Sequence, residues 1–221
     1  MFVGHYSVSF AAKKSDDSIP LWVLFLAVQW LDVIWAPLVL IGIEKVRIVP
    51  GFTATNPLDL YYMPYTHSLV AAIIWSFVVG SIYHVIRRPY MHSSVLVGIA
   101  VFSHWVLDLV VHKPDLPIYD NTWKVGFGLW DQPAIAFGLE ALLLLVGMAA
   151  FLRGRTGHRA AIIAFGLVML GVEGYVFFGP PPTSTTMFAW TAIVSYGAFA
   201  LIAWFLADRH PSSRSAEVPG S

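Results

Sequence analysis

The chain of 221 residues contains no cysteine. That excludes disulfides, thiolate metal sites and cysteine nucleophiles. Charge is scarce as well: 12% of residues are charged against 57% hydrophobic, a proportion that a soluble domain of this length cannot hide in its interior. The 13 Lys and Arg balance the 13 Asp and Glu, so no excess of positive charge points to nucleic acid as a partner. The opening MFVGHYSVSFAA has no early basic region, and Lys13, Lys14, Asp16 and Asp17 follow at once, which argues against a cleavable signal peptide. No internal repeat or second domain is visible.

Six apolar segments are present instead, each of roughly the 20 residues that cross a bilayer: 20–43, 64–87, 92–112, 132–152, 159–179 and 186–207. They predict an all-α polytopic membrane protein: one bundle of about six transmembrane helices over 1–207, embedded in the lipid bilayer, with a polar tail over 208–221 expected to be disordered. The breaks are RRPYMH (87–92), RGRTGHR (153–159) and GPPPTSTT (179–186), and longer connections run from Glu44 to Pro64 and from Lys113 to Asp131. With six spans, nine basic residues (Lys13, Lys14, Arg87, Arg88, Arg153, Arg155, Arg159, Arg209, Arg214) fall on the side of the termini. Four (Lys45, Arg47, Lys113, Lys124) fall on the other. Both termini are therefore expected in the cytoplasm, and the two long loops outside.

The basic residues avoid the spans; the acidic ones do not. Asp32, Asp108, Glu140 and Glu173 lie inside apolar segments, whereas all thirteen Lys and Arg lie outside those segments or at their ends. A carboxylate in hydrocarbon costs several kcal/mol unless it is protonated, hydrated or paired. What is left to pair them is histidine, water or a cation. In FSHWVLDLVVHKPD, His104, Asp108 and His112 recur every four residues, on one face of a helix. A histidine and a carboxylate at that spacing converge on one point, a familiar metal-binding arrangement. At about 1.5 Å per residue, Asp32, His104 and Glu140 lie about 18 Å from the cytoplasmic surface, Glu173 about 21 Å and Asp108 about 24 Å, in a core about 30 Å thick. His67 lies just above that layer, and His5 joins it from below if residues 2–12 form a short re-entrant helix. His84, His92, His158 and His210 read as interface or loop residues, and most Trp and Tyr as interface belts.

Taken together, GHYSVSFAAKK, the Leu31-Asp32 pair, THSL at 66–69 and SHWVLD at 103–108 resemble the YdjM-type bacterial inner-membrane metal-dependent hydrolases. The resemblance covers about residues 1–115 and implies His5, Asp32, His67, His104 and Asp108 as metal ligands. Two features depart from that pattern: the THS motif follows MPY where HRG is usual, and Asp32 stands alone where two acidic residues are common.

His and carboxylate donors without thiolate suit a divalent metal, Zn²⁺ first, then Mn²⁺ or Fe²⁺. Hydrolysis of an ester or phosphoester by metal-activated water is the expected chemistry, on a small-molecule or lipid-derived substrate. Glu140 or Glu173 would serve as general acid or base, and His112 would polarise the substrate. A serine route through Ser68 or Ser103 is weaker, because residues adjacent on a helix point about 100° apart. The alternative is a proton- or cation-coupled transporter or channel using the same acids and histidines. A purely structural or partner-binding role would leave the four buried acids unexplained.

Overall fold

In lipid, backbone N–H and C=O groups find partners only within a helix or a closed barrel, and these apolar segments take the first solution. The computed structural model describes residues 1–155 and 157–209. Residues 210–221, with His210 and most of the expected polar tail, lie outside the described residues.

A 3₁₀ turn (Val3–His5) leads into α1 (Tyr6–Ser15), α2 (Leu21–Val28) and α3 (Trp30–Leu40). An antiparallel hairpin follows, β1 (Lys45–Ile48) with β2 (Leu58–Tyr62), then α4 (Leu69–Arg87) and α5 (Met91–Val111). After a second 3₁₀ turn (Leu129–Asp131) come α6 (Pro133–Leu152), α7 (Arg159–Phe178) and α8 (Thr185–Ala203), the last extended by a π turn (Trp204–Asp208). The fold is all-α apart from that hairpin. Among the described residues five helices, α4 to α8, are long and apolar enough to cross a membrane, and there are six if the bent pair α2 and α3 counts as one span. Ser68 and Ser184 start α4 and α8 by accepting from Ala71 N and Met187 N, both at 3.1 Å.

Three local features differ from the sequence expectation. The first span, expected as one helix over 20–43, is two helices bent by 55° at Gln29. Neither Pro nor Gly marks the break. Gln29 is fully buried, and its amide donates to Phe2 O at 3.0 Å, so a tertiary contact holds the bend. The long connection after Glu44 holds the hairpin, cross-linked where Arg47 Nε donates to Asp59 Oδ2 at 2.6 Å. Asp208, assigned to the tail, instead caps α2, its carboxylate accepting from Leu21 N at 2.9 Å and Trp22 N at 3.1 Å.

The N-terminal turn and α1 do enter the bundle. Val3, Gly4, His5, Tyr6, Ser9 and Phe10 are buried, and α1 descends from them to Lys13 and Lys14. Beneath the polar layer the interior is aromatic: Phe25 meets Tyr6, Phe10 and Phe165 at ring separations of 4.5, 5.4 and 5.9 Å. Phe10 also meets Phe151 at 5.4 Å, and Phe165 meets Phe199 at 5.7 Å.

On the basic face, Lys14 Nζ donates to Arg153 O at 3.2 Å, Ser93 Oγ donates to Asp16 at 2.5 Å, and Asp17 pairs with Arg155. Burial alone would raise Asp17, but the Arg155 hydrogen bond and the Lys13 charge outweigh it and hold the carboxyl below its ordinary value. A carboxyl depressed in the folded state contributes stability above its unfolded pKa, about 3.9, and loses it as pH falls through the folded value. Asp17→Asn is therefore expected to lower the melting temperature in detergent at pH 7. The gap from wild type should narrow as the pH falls below about 4; a gap as large at pH 3 as at pH 7 would refute the assignment.

Candidate metal centre

Four segments deliver side chains to one point. His5 ends the N-terminal 3₁₀ turn, Asp32 lies in the first turn of α3 just past the bend, and His67 immediately precedes the cap of α4. His104 and Asp108 lie one turn apart on α5. His67 Nε2 is 3.3 Å from Asp32 Oδ1 and 3.9 Å from Asp108 Oδ2; His104 Nε2 is 3.8 Å from Asp32 Oδ1 and 3.1 Å from Asp108 Oδ2. His5 Nε2 meets the other Asp108 oxygen at 3.2 Å, and its ring stacks on His104 at 4.0 Å and 4°. The Met1 ammonium also contacts that oxygen, at 2.5 Å. His5 and His104 are fully buried; only Asp32 is appreciably open, with 18% of its side chain exposed.

Hydrogen-bond roles fix which ring nitrogens face the centre. His104 Nδ1 lies 2.7 Å from Val28 O, a carbonyl that can only accept, so Nδ1 carries the hydrogen. In the neutral ring Nε2 is then a lone pair; it is buried, facing Asp108 Oδ2 at 3.1 Å, with no hydrogen bond of its own among the described residues. Val28 O is free for this because α2 stops at the bend. His112, the C-terminal cap of α5, repeats the arrangement: its Nδ1 is 2.8 Å from Asp115 Oδ1, and its Nε2 is 3.6 Å from Asp108 Oδ2. An imidazole held through one nitrogen by a carbonyl or carboxylate is the usual support of a metal-ligating histidine.

The donor set fits a divalent cation. Ligands on a tetrahedral Zn²⁺ with bonds of about 2.0–2.1 Å are about 3.3 Å apart. The four edges measured between Asp32, His67, His104 and Asp108, from 3.1 to 3.9 Å, bracket that spacing. His5 adds a fifth nitrogen on the far side of Asp108, and His112 sits at the outer rim.

Glu140 and Glu173 stand apart from this cluster. Glu140 Oε2 accepts from Phe2 N at 2.7 Å and Gly4 N at 3.2 Å, so it holds the turn that carries His5. Its other oxygen and both oxygens of Glu173 are buried without hydrogen-bond partners among the described residues. Ser68 and Ser103 donate locally, to Pro64 O at 2.8 Å and Ala100 O at 2.7 Å.

Several supporting groups escaped the sequence reading. Asp115 had a legible signal, standing three residues after His112. Tyr196, which donates to Asp32 Oδ2 at 2.7 Å, and the Val28 carbonyl had none. No family model, curated protein or solved structure matches this chain. The functional reading therefore rests on the geometry of the cluster.

Proposed function

We propose that this chain is a membrane-embedded, metal-dependent hydrolase acting on an ester or phosphoester that is small or lipid-derived. One observation carries the reading: two carboxylate oxygens and two imidazole nitrogens, on α3, α5 and the lead-in to α4, approach one another at 3.1 to 3.9 Å in a buried space with no Lys or Arg among them. In the neutral-ring state all four are acceptors; the Met1 ammonium reaches only the other oxygen of Asp108, so a second cation reconciles the arrangement. A bound Zn²⁺, or Mn²⁺ or Fe²⁺ on the same donors, would supply Lewis acidity and lower the pKa of water towards neutrality.

The chain's own residues then divide the work. Asp32, His67, His104 and Asp108 hold the metal, and His5 supports Asp108 from its other oxygen. Tyr196 orients Asp32. His112, fixed by Asp115 at the rim nearest the long loops, orients the substrate or holds a proton at Nε2. Glu140 acts through the N-terminal turn, leaving Glu173 as the intramembrane acid available for proton transfer. The resemblance of the motif residues to the YdjM-type family supports this assignment and a bacterial inner membrane, and the nine-to-four basic bias supports an orientation with both termini in the cytoplasm.

A proton- or cation-coupled transporter or channel is the second reading, favoured by the two buried carboxyls of Glu140 and Glu173, which interact with each other and, among the described residues, with no Lys or Arg. The aromatic packing of Tyr6, Phe10, Phe25 and Phe165 below the centre weighs against it, because a pathway needs polar surface on both sides.

Zn²⁺-loaded protein in detergent is expected to hydrolyse a p-nitrophenyl ester, bis(p-nitrophenyl) phosphate or a fluorogenic lipid ester, and Asp108→Asn to abolish that turnover. The same protein in liposomes should pass no cation. Asp108-dependent flux without Asp108-dependent turnover would reverse the assignment.

A further inference from the structure

His67 is the one ligand of the proposed centre whose supporting nitrogen meets neither a carbonyl nor a carboxylate. Its Nδ1 lies 2.7 Å from the hydroxyl of its own neighbour, Thr66. A hydroxyl can donate or accept, so this contact alone leaves the tautomer open. Glu44 decides it.

Glu44 follows α3 and comes from a stretch without any motif, yet it is 1% exposed and lies against a fully buried Thr66. One carboxylate oxygen accepts from Tyr65 N at 2.8 Å and Thr66 N at 3.0 Å; the other is 2.6 Å from the Thr66 hydroxyl. Burial raises this carboxyl above its ordinary value, and the two backbone donors oppose that by favouring the ionised form. An ionised carboxylate only accepts, so the single hydroxyl hydrogen of Thr66 goes to Glu44. The Thr66 oxygen must then accept, and the only donor left to it is a hydrogen on His67 Nδ1. The ring's remaining lone pair is on Nε2, the atom that faces Asp32 at 3.3 Å.

We infer that Glu44 and Thr66 are positioning residues that set the tautomer of His67, so that Nε2 is presented to the metal. The inference rests on the metal-centre reading for its purpose, while the tautomer stands by itself. The chain of hydrogen bonds is directional, and that makes it sensitive to a substitution that preserves shape. In Glu44→Gln the amide oxygen can keep the two backbone donors. The NH₂ group then faces the Thr66 hydroxyl and donates to it, which turns the hydroxyl round to donate to His67 Nδ1. The ring hydrogen must move to Nε2, where it blocks the ligating position.

The test is ¹⁵N NMR of the full-length chain, labelled at histidine, in detergent at pH 8 without added metal; His67 is identified by the signal lost in His67→Gln. Wild type and Thr66→Ser should show the Nδ1–H tautomer, Glu44→Gln the Nε2–H tautomer, and Thr66→Val a mixture. Zn²⁺ titration should follow the same order, with affinity falling about 10- to 100-fold in Glu44→Gln and Thr66→Val and returning in Thr66→Ser. An unchanged Nδ1–H signal in both Glu44→Gln and Thr66→Val would overturn the inference. If the tautomers behave as expected but wild type binds no Zn²⁺, the metal reading falls and the positioning role remains.

Discussion

Replacing His104 and Asp108 together with alanine is expected to reduce bound divalent metal from about one ion per chain to almost none, because it removes two of four ligands and both come from one helix. Protein purified without chelator and analysed for metals gives the measurement. The control is His84→Ala: His84 Nδ1 contacts Ser94 Oγ at 3.1 Å near the start of α5, away from the cluster, and its loss should leave metal content unchanged. Removing one partner from a buried charged network typically costs about 3–5 kcal/mol, so metal must be counted on the monodisperse fraction. Asp108→Asn, which keeps the side-chain volume, provides the second reading. Metal content equal to wild type in both variants would remove the centre from consideration.

The second large effect concerns two glycines on one helix. A Cβ at Gly147 would lie 2.6 Å from Ser7 O and 2.7 Å from Ser7 Cα, whereas one at Gly138 meets nothing within 4 Å. Helix propensity favours alanine over glycine at both positions, by about 0.5–1 kcal/mol. At Gly138 that preference should prevail, and Gly138→Ala should raise the melting temperature. At Gly147 the added methyl presses on backbone, which cannot rotate away, and overpacking of this kind costs about 1–3 kcal/mol. Gly147→Ala should therefore lower the melting temperature and, by pushing α1 off α6, weaken metal binding through His5. Equal shifts at both positions would mean that α1 is not seated against α6 as described.

How much of this was legible beforehand depended on the range of each contact. His104 and Asp108 share a helix face, so their convergence followed from spacing alone. Asp32 and His67 entered because helical rise is regular, which turns sequence position into depth. His5 required a re-entrant N-terminal helix, for which the sequence offers only the run up to Lys13 and Lys14. The bend at Gln29 was invisible, since the residue that holds it is bonded to Phe2 O, 27 positions away. Depth also placed Glu140 in the same layer as the ligands. Depth fixes height but not the direction in which a helix points its side chain, and Glu140 turned out to face the backbone of Phe2 and Gly4.

The bend has a consequence beyond shape. Had α2 and α3 run on as one rod, the Val28 carbonyl would have been enclosed in the helix ladder, and His104 Nδ1 would have needed another acceptor in a medium that offers none. Kink and ring orientation are thus a single specification, written once in the main chain and once in the side chain. Transplanting His104 and Asp108 onto a neighbouring pair of straight helices would reproduce the ligands but leave the imidazole free to turn either nitrogen inward. Any redesign of this centre has to carry its irregular backbone along with its side chains.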